Sequence, residues 1–323
     1  MIVKTVVFCD VPIFKGFKYR EKFQLVPFPK TELNLMMQYA NHFPLFLEFA
    51  FDEVNEILPF ESELRSFGIS EDKIIESRHI PTQERIKDEI LQLLTCLTNY
   101  HFFSYKAFNS IWGIQFSLEK QSENDIKSRW TVGCYRDVKT HHTQTIEKFT
   151  DISFFYNNTV SDYFTYKPTS IFSSEISFPL NLEDCIDKYY SLDDVTSKRV
   201  RNCVCMLSDG IELFNRKRSV SLLSIISSIE GMALIDNQIY ANNDRLSPTK
   251  RFIKYLETYV AGKSTEKFSK FYKRRCNVAH ESEQCIGDID IYADIEEQDK
   301  DLLFRIEIMQ AARMGLYNWL GRL

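Results

Sequence analysis

The sequence predicts an α+β chain of two domains: a strand-rich mixed α/β region over about residues 1–175, then an all-helical region over about 183–323. Three observations predict it. The first half carries short β-branched and aromatic runs, and the second carries apolar residues at helical spacing. The composition, 44% hydrophobic and 26% charged in 323 residues, is that of a globular chain about two domains long. With only 10 glycines, Gly-rich phosphate loops, propellers and turn-dense barrels are disfavoured.

In the first half, residues 2–9 (IVKTVVFC), 111–118 (IWGIQFSL), 129–138 (RWTVGCYRDV), 152–156 (ISFFY) and 163–166 (YFTY) read as strands. One helix interrupts them. Pro81 and Thr82 open it, and Ile86, Ile90, Leu93, Leu94 and Leu97 follow at helical spacing. In the second half, Asp193 or Asp194 caps a helix running to about Phe214, with Val200, Val204, Leu207, Ile211 and Phe214 on one stripe. Residues 219–236 form a second helix, and Pro248 starts a third that ends near Gly262. Ser264 or Thr265 starts a fourth, and a last helix spans about 300–320. Residues 281–301, with nine acids and one lysine, read as an acidic connector. Five helices with short connections predict an up-and-down bundle.

The net charge is −5, so any nucleic-acid binding needs a local basic patch. The apolar stretches 43–51 and 220–235 read as too short or too interrupted to span a bilayer, and residues 1–10 lack a signal-peptide core. Eight irregularly spaced cysteines suggest reduced thiols. The expectation is a cytoplasmic protein with no membrane association.

Three segments invite a functional reading. Ala261-Gly262-Lys263-Ser264 imitates the end of a phosphate-binding loop. Glu257 stands where that motif needs glycine, so a helix-ending glycine followed by a capping serine explains it. His141 and His142 with Cys134 lack the fourth ligand of a structural zinc site, and no metal is expected.

Residues 271–282 (FYKRRCNVAHES) are the informative segment. Between 263 and 275 six basic residues face Glu266 alone, a local charge of +5. Lys267, Lys270, Lys273 and Arg274 are thus candidate RNA-binding residues, although a solvated helix face has the same composition. Arg275 and His280 suit RNA cleavage. A guanidinium can grip a phosphate through two donors, and an imidazole can take the 2′-hydroxyl proton or protonate the leaving 5′-oxygen. One histidine cannot readily do both in one step, whereas a two-fold dimer would supply a second. The spacing alone decides nothing, since Arg136 and His141 share it. The same residues also admit structural roles, with His280 at a helix C-terminus and Arg275 bracing Glu230.

The context of this segment resembles a HEPN domain, most closely the Apea-like group. Arg275-Cys-Asn-Val-Ala-His280 resembles the family's RxxxxH motif and follows Phe271-Tyr272. Residues 227–232 (SSIEGM) resemble an upstream helix carrying a glutamate, and the closing helix ends in Tyr317-Asn318-Trp319-Leu320. The resemblance covers about residues 183–323. It implies a helical bundle that dimerises around the motif. It further implies a metal-independent endoribonuclease of antiviral (abortive-infection) defence or a toxin, with no cofactor. Arg275 and His280 match the catalytic positions, and Asn277 and Glu230 would support them. Cys276 departs from the Asn, Asp or His that many active members carry after the arginine. Some members are inactive modules that bind RNA, a nucleotide or a partner protein. For residues 1–175 the sequence suggests no ligand, only a possible sensing or regulatory role.

Overall fold

The computed structural model describes residues 1–27, 43–54, 58–104, 114–115, 135–136, 143–155, 163–164, 177–240, 246–262, 264–289 and 294–322. The chain divides into two compact units, residues 1–91 with 102–157, and residues 92–101 with 158–323. The first holds an antiparallel sheet and the second is mostly helical, so the fold class is α+β.

In the first unit, strand β1 (Ile2–Cys9) is central. It pairs along its whole length with β4 (Phe43–Ala50), which pairs in turn with β3 (Phe23–Pro27), and β3 pairs with β2 (Phe17–Tyr19). The other edge of β1 is shared by β5 (Phe102–Phe103) and β8 (Gln144–Ile146). Residues 2–9 form the expected strand. Of the runs 111–118 and 129–138, the described parts are β6 (Ile114–Gln115) and β7 (Tyr135–Arg136), a parallel pair; their remaining residues lie outside the described ones. Residues 152–155 are not a strand; Phe155 makes a single bridge to Gly16. The run 163–166 falls in the second unit, where Tyr163 and Phe164 sit in a turn and the Tyr163 hydroxyl and carbonyl accept hydrogen bonds from Asn99 at 3.0 and 2.6 Å.

Register places Gln24, Glu48 and Lys4 side by side across β3, β4 and β1. The Glu48 side chain is fully buried and fully satisfied. It accepts from Gln24 Nε2 at 2.7 Å and the Thr150 N–H at 2.8 Å, and pairs with Lys4 Nζ at 3.0 Å. Burial alone would raise its carboxyl; the hydrogen bonds from Thr150, Lys4 and Gln24 outweigh it and hold the group below its ordinary 4.5. A depressed folded-state value gives stability that is present above about pH 4.5 and lost as pH falls through the folded value. Denaturant melts from pH 6 to pH 3 should therefore show Glu48→Gln less acid-sensitive than the wild type, and less stable at pH 6.

Helix α1 (Glu61–Ser66) leads to α2 (Glu71–Leu97). Pro81 does not open a helix; it lies inside α2. An interior proline removes one hydrogen bond and costs about 3 kcal/mol, so tertiary contacts must hold the turns before it. Ile74 is buried, and Arg78 grips the buried Glu61 carboxylate with Nε at 2.7 Å and Nη2 at 2.9 Å.

The second unit includes the end of α2. Its residues 92–101, with 163–164 and 177–182 among the described residues, belong to this unit besides the 183–323 expected from sequence. Cys96 Sγ donates to the Val204 carbonyl at 3.3 Å, and buried Arg313 donates to the carbonyls of Thr95 and Tyr100 at 3.2 and 3.3 Å. The rest of this unit is α3 (Leu182–Tyr190), α4 (Asp194–Glu212), α5 (Arg218–Tyr240), α6 (Pro248–Tyr259), α7 (Thr265–His280), the single turn α8 (Ile286–Ile289) and α9 (Ile295–Arg322). Asp193, Ser247 and Ser264 cap α4, α6 and α7 through their side chains. Helix α6 stops at Tyr259, and Gly262, at φ +79°, turns the chain toward Ser264, as the capping reading of residues 261–264 requires.

Helix α5 is the axis of the unit. It runs antiparallel to α4, with Ser221 Oγ donating to the Gly210 carbonyl at 2.6 Å and Ser228 Oγ to the Cys203 carbonyl at 2.7 Å. Gly210 and Gly231 allow this approach, since a Cβ there would meet Ile225 and the Cys203 sulfur. Helices α6, α7 and α9 pack against its other sides. At 23 residues α5 passes the length and composition test for a membrane span, contrary to the reading of 220–235 as too interrupted, but more than half of its most apolar stretch is buried in the bundle.

The described residues of the acidic stretch 281–301 include a helical turn and the start of a helix rather than a plain connector. Asp288 accepts from the N–H groups of Arg218 and Ser219 at 3.0 and 2.7 Å and so caps α5. Residues 295–301 are the first two turns of α9, not a lead-in to a helix at Lys300.

Candidate active site

Helix α7 is amphipathic. Phe268, Phe271 and Val278 are buried, Phe271 meets Phe304 edge-on at 5.4 Å, and Tyr272 meets Phe252 at 5.3 Å. This anchors one face of α7 to α6 and α9 and leaves the motif residues half-exposed or exposed at its C-terminal end.

Arg275 and His280 come together although five residues on a helix separate two side chains by about 140°. The Arg275 side chain reaches forward to place Nη1 3.1 Å from His280 Nε2, while Nη2 lies 3.5 Å from Glu230 Oε2 on α5. A guanidinium carries only donors, so in this contact Nε2 is the acceptor. The arginine is about a quarter exposed, as is the glutamate, so the trio faces solvent along one side.

Asn277 and Arg274 are not part of that trio. Asn277 Nδ2 donates to Glu283 Oε2 at 2.6 Å, and Arg274 pairs with the other oxygen of the same carboxylate and donates to the Gln284 carbonyl at 3.3 Å. The Asn277 amide first, and the Arg274 charge second, hold the Glu283 carboxyl below the usual carboxylate range. The chain reaches this position through Ser282, which adopts φ +58° just past the helix end, and through the Glu283 N–H, which donates to the Asn277 carbonyl at 3.2 Å. Glu283 was not singled out as a residue in the sequence; its only signal there was membership of the acidic run.

The other basic residues are also largely matched. Lys267 pairs with Glu307 of α9, and Lys270 pairs with Glu266 at 2.7 Å one turn back. Lys273 is exposed and, among the described residues, makes no ion pair. Lys263 lies outside the described residues. So do Cys134, His141, His142 and the Arg136 side chain. Among the described residues no three His, Cys, Asp or Glu side chains are grouped as a metal site would require. Comparison with protein-family models, with curated proteins and with solved structures finds no match for the chain.

Proposed function

We propose that the helical unit is a metal-independent endoribonuclease of the HEPN type, acting as a homodimer in the cytoplasm. The observation that carries this reading is the Glu230–Arg275–His280 trio at the open end of α7, with His280 Nε2 as acceptor. His280 Nε2 takes the proton of an RNA 2′-hydroxyl as its oxygen attacks the adjacent phosphorus. Arg275 turns from the imidazole to the phosphate and stabilises the charge that develops on its non-bridging oxygens. The P–O5′ bond breaks, leaving a 2′,3′-cyclic phosphate on one fragment. The 5′-oxygen takes a proton from a second acid, for which the His280 of a second copy is the natural source. Glu230 positions the guanidinium. The antiviral or toxin setting follows from the resemblance alone.

One alternative is a non-enzymatic module that binds RNA, a nucleotide or a partner protein; the carboxylates paired with Lys267, Lys270 and Arg274 weaken the basic face on which RNA cleavage would draw. Incubating the full chain with mixed RNA in EDTA separates the two. Cleavage supports the nuclease, and binding without cleavage supports the module.

Glu283 occupies, with one carboxylate, the two donors a phosphate would seek at Arg274 and Asn277. Glu283→Gln should raise RNA affinity several-fold at low salt, with the gain shrinking as salt is added. Filter binding across a salt series checks this, and unchanged affinity would remove Glu283 as an electrostatic cover.

A further inference from the structure

A second polar cleft lies in the helical unit, apart from the residues of the motif. Its volume is about 260 Å³, and α5 contributes Asp236 and Tyr240, α6 contributes Arg251, Lys254, Tyr255 and Thr258, and α9 contributes Arg322. Ala233, also in the lining, stands one turn beyond Glu230 on α5, so the two regions share that helix.

The charge distribution differs from that of α7. There Lys267, Lys270 and Arg274 are each paired with a carboxylate; here Arg251 and Lys254, one turn apart on α6, make no ion pair among the described residues. Arg322 is held in place rather than neutralised. Its Nη1 bonds the Tyr259 hydroxyl at 2.7 Å, its guanidinium stacks 4.3 Å over the Tyr240 ring, and the Tyr259 hydroxyl donates to Asp236 Oδ1 at 2.7 Å. Three cations and one carboxylate therefore line a single concavity. Tyr255, 1% exposed, also contributes to the lining; its hydroxyl lies against Gly315 of α9 and has no hydrogen-bond partner among the described residues.

From this cleft we infer a binding site for a small sugar phosphate. A phosphate monoester carries close to two negative charges and three terminal oxygens, enough to engage Arg251, Lys254 and Arg322 together. The Asp236 carboxylate, one oxygen of which accepts from Tyr259, and Thr258 Oγ1, whose proton goes to the Lys254 carbonyl, can accept from the hydroxyl groups of a sugar, and the volume suits a molecule of that size. The inference stands apart from the nuclease reading, since it uses neither Arg275 nor His280.

Calorimetric titration of the full chain with ribose 5-phosphate, with ribose and with inorganic phosphate tests it. The expected result is saturable binding of ribose 5-phosphate, no detectable binding of ribose and weaker binding of inorganic phosphate. The double variant Arg251→Ala/Lys254→Ala should bind at least tenfold more weakly with an unchanged circular dichroism spectrum, and Arg251→Lys should retain most of the affinity. His280→Ala should bind as the wild type does, which separates this site from the nuclease. Absence of saturable binding, equal affinity in the double variant, or equal binding of ribose or inorganic phosphate would overturn the assignment.

Discussion

His280→Ala is expected to lower RNA cleavage by at least about a hundredfold while leaving the melting temperature within a few degrees of the wild type. General acid–base catalysis contributes about 10²–10⁴ in rate, and His280 is exposed at the end of α7, so little packing goes with it. Arg275→Ala should cost a comparable factor, because removing one preorganised donor to a developing oxyanion costs about 10²–10³. Arg275→Lys should recover little, since an ammonium cannot hold Glu230 and grip a phosphate with one planar fork. The two alanine variants together should be far less than the product of the single effects, as groups acting in one step are strongly non-additive. Glu230→Gln is the subtler test. A positioning residue should lower kcat more than RNA affinity, whereas a purely bracing role would lower stability with kcat intact. Single-turnover rates on one RNA, with chemical denaturation alongside, separate these outcomes.

Arg305→Ala should produce the largest loss of stability, about 3–5 kcal/mol, by leaving an uncompensated buried carboxylate. Arg305 and Asp301 are nearly fully buried on successive turns of α9 and pair at 2.8 Å. The same guanidinium donates to the Phe214 carbonyl at 2.7 Å and stacks 4.5 Å from the Phe214 ring, tying α9 to the end of α4. Replacing it frees that carbonyl and strands Asp301 together. Arg305→Met with Asp301→Leu should recover part of the loss, because the stranded charge goes too. Urea denaturation reads both variants, and a loss below about 1 kcal/mol in the single variant would mean that water reaches this pair.

The helical half was legible wherever a cap met a period. Asp193, Ser247 and Ser264 begin helices because each side chain satisfies backbone N–H groups that the first turn leaves open. The start of α9 was misread because Glu296 and Glu297 look like connector acids, yet acids complement the positive end of a helix dipole. In the sheet, β1 stood out as a β-branched run. β4 carries FPLFLEFA, in which apolar residues on both faces hide the period of two, and Glu48 inside it reads as a break unless its cross-strand partners are known. Pro81 read as a helix start by its chemistry; the Arg78–Glu61 contact and the burial of Ile74 and His79 account for the helix before it. At the candidate site, the residue types and spacing of Arg275 and His280 were visible, as was the bracing role for Glu230. That Arg274 and Asn277 turn to Glu283 was not, because the contact depends on a left-handed residue at Ser282.

We propose that Arg275 and His280 of α7, with their counterparts in a second copy, cut RNA without a metal ion. The most direct measurement is the chemistry of the ends left when the full chain acts on RNA in EDTA, with His280→Ala as the control. The expected products are 2′,3′-cyclic phosphate and 5′-hydroxyl ends from the wild type and intact RNA from the variant. Intact RNA in both, ends of another kind, or the same ends from His280→Ala would contradict it.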